Sequence, residues 1–105
     1  MVESITPKQF QESPGVDDWQ VVGKEVSASF RSGSFARGVE FIRAIGVLAD
    51  RANHHPDVDL RYPSVTVRLT THEIHGLSER DASLAREIST LAREMDIQPE
   101  PIERE

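Results

Sequence analysis

Cysteine is absent from the 105 residues of this chain, which excludes disulfide bonds and metal sites built on thiolates. The six glycines are scattered, so the chain has no glycine-rich loop that could cradle a phosphate group. Charged residues interrupt every apolar stretch, and none is long enough to cross a bilayer. The first residues also lack the cationic start and apolar run of a secretory signal. From these absences we expect a cytoplasmic protein that binds no membrane.

Positive charge is also scarce, since 12 Lys and Arg stand against 18 Asp and Glu and the formal net charge is -6 at pH 7. Nucleic-acid binding needs a basic surface that displaces counterions from phosphates, so no direct binding of nucleic acid is expected. Arg31, Arg37 and Arg43 lie close in sequence, but a solvated helix face explains them more simply. The length predicts one domain, and 37% hydrophobic residues suffice for one core.

Four short stretches alternate apolar and polar residues, which is the pattern of half-buried strands. The first two stretches, at residues 19–22 and 26–31, are separated by a glycine turn and predict a hairpin. The other two, at residues 58–62 and 65–69, predict a second hairpin that turns at Pro63-Ser64. Two hairpins of this kind build an antiparallel sheet of four strands.

Helical spacing of apolar residues predicts a long helix from Phe35 to Ala52, between the two hairpins. A short helical turn at residues 5–10 precedes the first hairpin, and a last helix begins after the N-cap residue Ser78. The long helix carries two apolar stripes, formed by Phe35, Val39, Ile42, Gly46 and Ala49 and by Phe41, Ile45, Leu48 and Ala52. So wide an apolar surface is either the core of a single domain or part of an interface with a second subunit.

The order of these elements, α-β-β-α-β-β-α, is typical of an α+β fold. We expect an antiparallel four-stranded sheet with the helices packed on one face. The domain is predicted to cover residues 1–96. Residues 97–105 contain two prolines among many charged side chains and predict a mobile tail.

All four histidines fall between residues 54 and 75, and three of them, His54, His55 and His72, fit a single site. Imidazole titrates near neutral pH and also binds metals, so a cluster of histidines is suited to acid/base catalysis or to metal binding. Three imidazoles can hold zinc, but the His-x-x-x-His spacing of a helical zinc pair is missing. On spacing alone, acid/base catalysis, a metal site and plain surface histidines remain three alternatives.

A longer motif surrounds these histidines and consists of Asp50, His54, His55, Pro56, Tyr62, His72 and Asp81. Its residue types and spacing resemble the signature of the pterin-4a-carbinolamine dehydratases, also called 4a-hydroxytetrahydrobiopterin dehydratases. The segments 56–62, 65–72 and 76–81 are similar to bacterial members, and the resemblance extends over residues 17–95. The chain departs from the family pattern at Asn53, where many members have an acid, and at Pro63, where Asn is common.

The resemblance implies a lyase that removes water from 4a-hydroxytetrahydropterin to give quinonoid dihydropterin, and so recycles the pterin spent by aromatic amino-acid hydroxylases. It implies no metal and no organic cofactor, and it implies a homodimer or homotetramer. His54 and His72 are expected to transfer protons, while His55 holds the pterin. The resemblance further implies contact with the substrate, or a supporting role, for Asp50, Pro56, Tyr62, Thr71 and Asp81.

The two acids are expected to have different roles, and the function itself has an alternative. Asp50 is expected to orient His54, whereas Asp81 is either part of the site or only a carboxylate that caps the last helix. The family also has members without enzymatic activity, which act as a dimerisation cofactor or as an assembly factor. An interaction protein of the same fold is therefore the alternative function, although the three retained histidines favour the enzyme.

Overall fold

The helices and strands follow one another in the predicted order. The structure is a computed structural model that describes residues 2–102, and its main elements are α1 (Pro7–Glu12), β1 (Gln20–Val22), β2 (Glu25–Arg31), α2 (Phe35–Ala52), β3 (Asp57–Arg61), β4 (Ser64–Leu69) and α3 (Glu79–Glu94). A 3₁₀ turn at His72–Ile74 and a two-residue strand, β5 (Gln98–Pro99), complete the list. The predicted α+β class and element order are confirmed.

All strands belong to one antiparallel sheet in the order β1-β2-β4-β3, with β5 paired to β2. The register of the central strands places Val26 opposite Leu69 and Phe30 opposite Val65, so their alternate apolar residues share one face. That face is buried under α2 and α3, where Phe41 packs edge-on against Phe30 with ring centroids 5.3 Å apart. The predicted sheet with helices on one face is therefore confirmed, with one short strand added.

The opposite face and the outer strand of the sheet carry polar side chains. Ser29 and Thr66 lie side by side there, and their hydroxyl oxygens are 2.8 Å apart. On the outermost strand, β3, the residues Asp57, Asp59 and Arg61 alternate with half-buried apolar ones, and the Arg61 Nε atom lies 3.3 Å from the Asp59 carboxylate. The sheet thus has a dry face that forms the core and a charged, open face.

The chain beyond the predicted boundary at residue 97 returns to the sheet. Asp96 adopts a left-handed backbone conformation with φ 57°, which reverses the chain after the helix. Ile97 then enters the core with 2% of its surface exposed, and Gln98–Pro99 pairs with the edge of β2 at Phe30 and Arg31. A proline is tolerated there because an edge strand needs hydrogen bonds on one side only. Residues 103–105 of the predicted tail lie outside the described residues.

The two predicted stripes of α2 do not divide into a buried one and an exposed one, because Ala49 of the first stripe is buried and Ala52 of the second is exposed. Phe41, Ile45 and Ala49 are buried against the sheet, whereas Phe35 and Val39 are 54% and 47% exposed. No helix within residues 2–102 has the length and apolar character needed to cross a membrane. The exposed stripe of α2, formed by Phe35 and Val39, is thus an apolar surface that the core of this chain does not use.

Gly38 lets α2 approach the sheet closely, and a matched pair of alanine substitutions tests this. A Cβ atom at Gly38 would lie 2.6 Å from a Leu60 methyl carbon and 3.3 Å from Val65, whereas one at Gly46 would meet nothing within 4 Å. Alanine is favoured over glycine in a helix by about 1 kcal/mol, so Gly46→Ala should raise the free energy of unfolding by about that amount. Gly38→Ala should lose this gain, because overpacking costs about 1–3 kcal/mol. Urea unfolding of both variants measures the difference, and equal stabilisation by the two would contradict the close contact.

Candidate active site

The end of α2 sends its two histidines in different directions. Asn53, the residue after the helix, has φ 51° and ψ 43°, a left-handed conformation that asparagine tolerates better than most residues. The backbone N–H of His54 donates to the carbonyl oxygen of Ala49 at 3.1 Å, which closes the helix end. After this reversal the His54 ring points inward and is 8% exposed, while the His55 ring remains in solvent.

The inward ring of His54 meets a fully buried carboxylate. His54 Nε2 lies 2.7 Å from Asp81 Oδ1. The other oxygen, Asp81 Oδ2, accepts the backbone N–H of Ser78 at 2.9 Å and the hydroxyl of Thr71 at 2.7 Å. The bond from Ser78 is half of the capping box that starts α3. Asp81 therefore both caps the helix and pairs with His54.

A chain of hydroxyl groups leads to this carboxylate. The Oγ atoms of Thr71 and Ser78 are 2.6 Å apart, and the Ser78 oxygen also accepts the backbone N–H of Arg80 at 3.2 Å. Because the Thr71 hydroxyl donates its hydrogen bond to Asp81, its oxygen must accept the hydrogen bond from the Ser78 hydroxyl. Among residues 2–102, every fully buried side-chain nitrogen and oxygen has a hydrogen-bond partner. The buried polar cluster is thus completely satisfied, which is what burial of a charge requires.

This arrangement dictates where the proton sits on neutral His54. An ionised carboxylate offers acceptors only, so the ring nitrogen that faces Asp81, Nε2, must carry hydrogen. The second nitrogen, Nδ1, is then left as an acceptor, and no described residue bonds to it. His54 also lines an open cavity of about 300 Å³, together with Ala52, Glu79, Arg80, Ser83 and Leu84. A buried, oriented imidazole beside a cavity is suited to exchanging a proton with a small molecule.

The second histidine, His55, pairs with the carboxylate that was expected beside His54. His55 Nε2 lies 3.0 Å from Asp50 Oδ1, and both side chains are largely exposed. The prediction that Asp50 orients His54 is therefore wrong. Asp50 lies in the last turn of α2 on the solvent side, so it meets the histidine that the left-handed Asn53 turns outward. Each histidine of the pair thus has one acid of its own, Asp81 for His54 and Asp50 for His55.

The remaining predicted residues lie at opposite ends of the β3–β4 hairpin, with His72 and Pro56 at one end and Tyr62 at the other. His72 follows the buried Thr71 directly and opens the 3₁₀ turn, whose Glu73 is tied to Arg80 of α3 at 2.9 Å. Pro56 is half-buried between His55 and the start of β3. Tyr62, by contrast, is 71% exposed in the turn at the far end of the β3–β4 hairpin. At about 3.3 Å per strand residue it is on the order of 15 Å from the histidines, so this chain does not bring Tyr62 to the site.

Some residues of the site were not singled out by their sequence pattern. Ser78 was identified only as a helix cap, although its spacing to Asp81 already indicated a bond between the two. Glu79, Arg80 and Ser83 line the cavity because they lie in the first two turns of α3, and nothing in their local pattern indicates this. Within residues 2–102, no three His, Asp or Glu side chains converge so that they could hold a metal ion.

A small α+β domain with a buried His–Asp pair beside an open cavity has the features common to sites for small molecules. The family model described as pterin 4 alpha carbinolamine dehydratase matches residues 3–91 of the chain. The chain therefore belongs to this family.

Relatives with curated names support the assignment. A protein of Nocardia farcinica is 42% identical over 76 residues, which cover 72% of this chain and 80% of the relative. A protein of Roseiflexus sp. is 34% identical over 92 residues, which cover 87% of this chain and 99% of the relative. Both are named, provisionally, as pterin-4-alpha-carbinolamine dehydratases. The similarity therefore extends over at least four-fifths of the length of these two proteins.

Two solved structures share the fold. A protein of Brucella melitensis, described as a transcriptional coactivator/pterin dehydratase, aligns with a TM-score of 0.79 and 28% identity, covering 86% of this chain and 99% of that one. A pterin dehydratase-like protein, described as a RuBisCO assembly factor of the alpha-carboxysome, aligns with a TM-score of 0.58 and 21% identity, covering 70% and 86%. At this low identity the second likeness shows the fold alone.

Proposed function

We propose that this protein is a hydro-lyase that converts 4a-hydroxytetrahydropterin to quinonoid dihydropterin and water. In a cytoplasmic setting the reaction would recycle the pterin cofactor of aromatic amino-acid hydroxylases. The observation that carries the proposal is the buried pair of His54 and Asp81 beside an open cavity, in a chain of the pterin dehydratase family. The proposal concerns the reaction itself, which family membership leaves open.

The reaction needs one acid and one base but no electron transfer. The bond between C4a and the hydroxyl oxygen breaks, and the hydroxyl group leaves as water after it receives a proton. Ring nitrogen N5 gives up its proton, and its electron pair forms the C4a–N5 double bond. One proton is delivered and one is removed, so two imidazoles are sufficient for the chemistry.

We assign the two proton transfers to His54 and His72, and we assign binding of the pterin to His55. His54 is supported by its fixed orientation at the cavity. His72 is supported by its position directly after Thr71, whose hydroxyl is part of the same buried cluster. His55 is exposed and is paired with Asp50, so its ring can meet a ligand from the solvent side.

A second candidate function is that of an interaction protein with the same fold. The observation that favours it is the exposed apolar stripe of α2, since large apolar side chains at a surface often mark a contact with another protein. The description of the similar solved structure from Brucella melitensis includes a transcriptional coactivator. The two functions are compatible, and an activity measurement tests the enzymatic one.

Purified protein should accelerate dehydration of chemically generated 4a-hydroxytetrahydropterin without added metal. The expected rate exceeds that of buffer alone, because the imidazoles supply both the acid and the base. A stopped-flow absorbance measurement with and without a chelator checks this. Dehydration no faster than in buffer would leave only the interaction protein. Loss of activity to the chelator, with recovery on addition of zinc, would instead identify a metal enzyme.

Single substitutions should separate the proposed catalytic histidines from a bystander. His54→Ala and His72→Ala should each lower kcat by about 10²-fold or more, as is usual when an acid/base group is removed. His75→Ala is the matched control, because His75 is an exposed histidine only three residues from His72. Steady-state kinetics on variants with intact thermal unfolding provide the measurement. A loss at His75 as large as that at His72 would contradict the assignment.

We also propose that the protein is a homodimer or homotetramer in which the exposed stripe of α2 is covered. Val39→Glu should then split the assembly, because the contact would bury an unpaired charge. Arg51→Gln is the control, since it changes the net charge by the same amount at an exposed polar position of the same helix. Light scattering at micromolar concentration measures the mass of each protein. A monomeric mass for the unmodified protein would overturn the proposal.

A further inference from the structure

The buried cluster around Asp81 has one consistent direction for its protons. It starts at the backbone N–H of Arg80, which can only donate, and this group donates to the Ser78 oxygen. Ser78 then donates to Thr71, and Thr71 donates to Asp81 Oδ2. The backbone N–H of Ser78 is a second donor to the same oxygen. Two fixed donors therefore converge on Oδ2, and they orient the carboxylate so that Oδ1 faces His54.

We infer that Thr71, Ser78 and Asp81 are positioning residues that fix the tautomer of His54, so that Nδ1 is the nitrogen that exchanges a proton with the pterin. The inference deepens the proposed dehydratase function and rests on it. Asp81 holds Nε2 at 2.7 Å and is fully buried, and Thr71 is 1% exposed. Neither side chain is accessible to the substrate, so both act through His54.

The state of Nδ1 agrees with this assignment. Every fully buried side-chain nitrogen among the described residues has a hydrogen-bond partner, whereas no described residue bonds to Nδ1 of His54. This nitrogen therefore belongs to the exposed part of the ring, and the ring lines the open cavity beside α3. A substrate that bonds to this ring from the cavity therefore has Nδ1 available, whereas Nε2 is already bonded to Asp81.

Asparagine at position 81 would reverse the tautomer without changing the shape of the side chain. The two donors at Oδ2 require an oxygen there, so the amide oxygen must take that place. The NH₂ group is then left facing His54, and it donates to Nε2. Nε2 becomes the acceptor, and the ring proton moves to Nδ1. The nitrogen that should accept a proton from the substrate would no longer do so, as in enzymes whose catalytic histidine is held in the wrong tautomer.

The test is ¹⁵N NMR of histidine-labelled protein without ligand, combined with steady-state kinetics. The unmodified protein should show His54 protonated at Nε2, and Asp81→Asn should show it protonated at Nδ1, with kcat lowered by about 10²-fold or more. Thr71→Val should lower kcat by about tenfold, the effect of one buried hydrogen bond, and leave KM unchanged. Thr71→Ser keeps the hydroxyl and should restore kcat.

Ser89→Ala is the matched control, since it also removes a buried hydroxyl. This hydroxyl lies in α3 outside the site, where it accepts the Trp19 indole N–H at 2.9 Å. Its kcat should stay at the unmodified level. Asp81→Asn with an unchanged tautomer would overturn the inference, as would Thr71→Val with a raised KM and an unchanged kcat. An unmodified protein without dehydratase activity would overturn the proposed function instead. The tautomer measurement would still decide the positioning role, because it needs no substrate.

Discussion

The burial of the Asp81 carboxylate is the constraint on which the site and much of the fold depend. A buried charge is stable only when hydrogen-bond donors surround it, and here they come from the end of α2, the end of β4 and the first turn of α3. The end of α2 is far in sequence from the other two segments, and all three must meet within a hydrogen-bond length of one side chain. The same set of bonds therefore starts a helix, joins it to the sheet and orients a histidine.

Much of the architecture follows from short-range patterns. The bounds of α2 agree with its apolar spacing from Phe35 to Ala52, and both hairpins follow from the alternation of apolar residues. Local rules suffice there because helices and tight hairpins are stabilised by neighbours in the chain. The capping box of α3 is equally local, and it already placed the Asp81 carboxylate close to the backbone of Ser78.

Features that depend on chain reversal or on distant contacts could not be predicted in this way. The left-handed conformation of Asn53 decides which histidine faces inward, so the family resemblance assigned Asp50 to the wrong ring. Tyr62 matches a family motif in sequence, yet the length of β3 carries it to the other end of the hairpin. Residues 98–99 look like a polar tail, and only the core position of Ile97 draws them onto the edge of β2.

The charged outer strand has a consequence for the behaviour of the protein in concentrated solution. A strand at the edge of a sheet offers free backbone groups to any extended chain, and this is the usual starting point of aggregation. On β3, the charges of Asp57, Asp59 and Arg61 recur at every second residue, so a foreign strand that pairs there must match or desolvate them. The edge at β3 can thus stay uncovered, because its charges disfavour pairing with strands from other proteins.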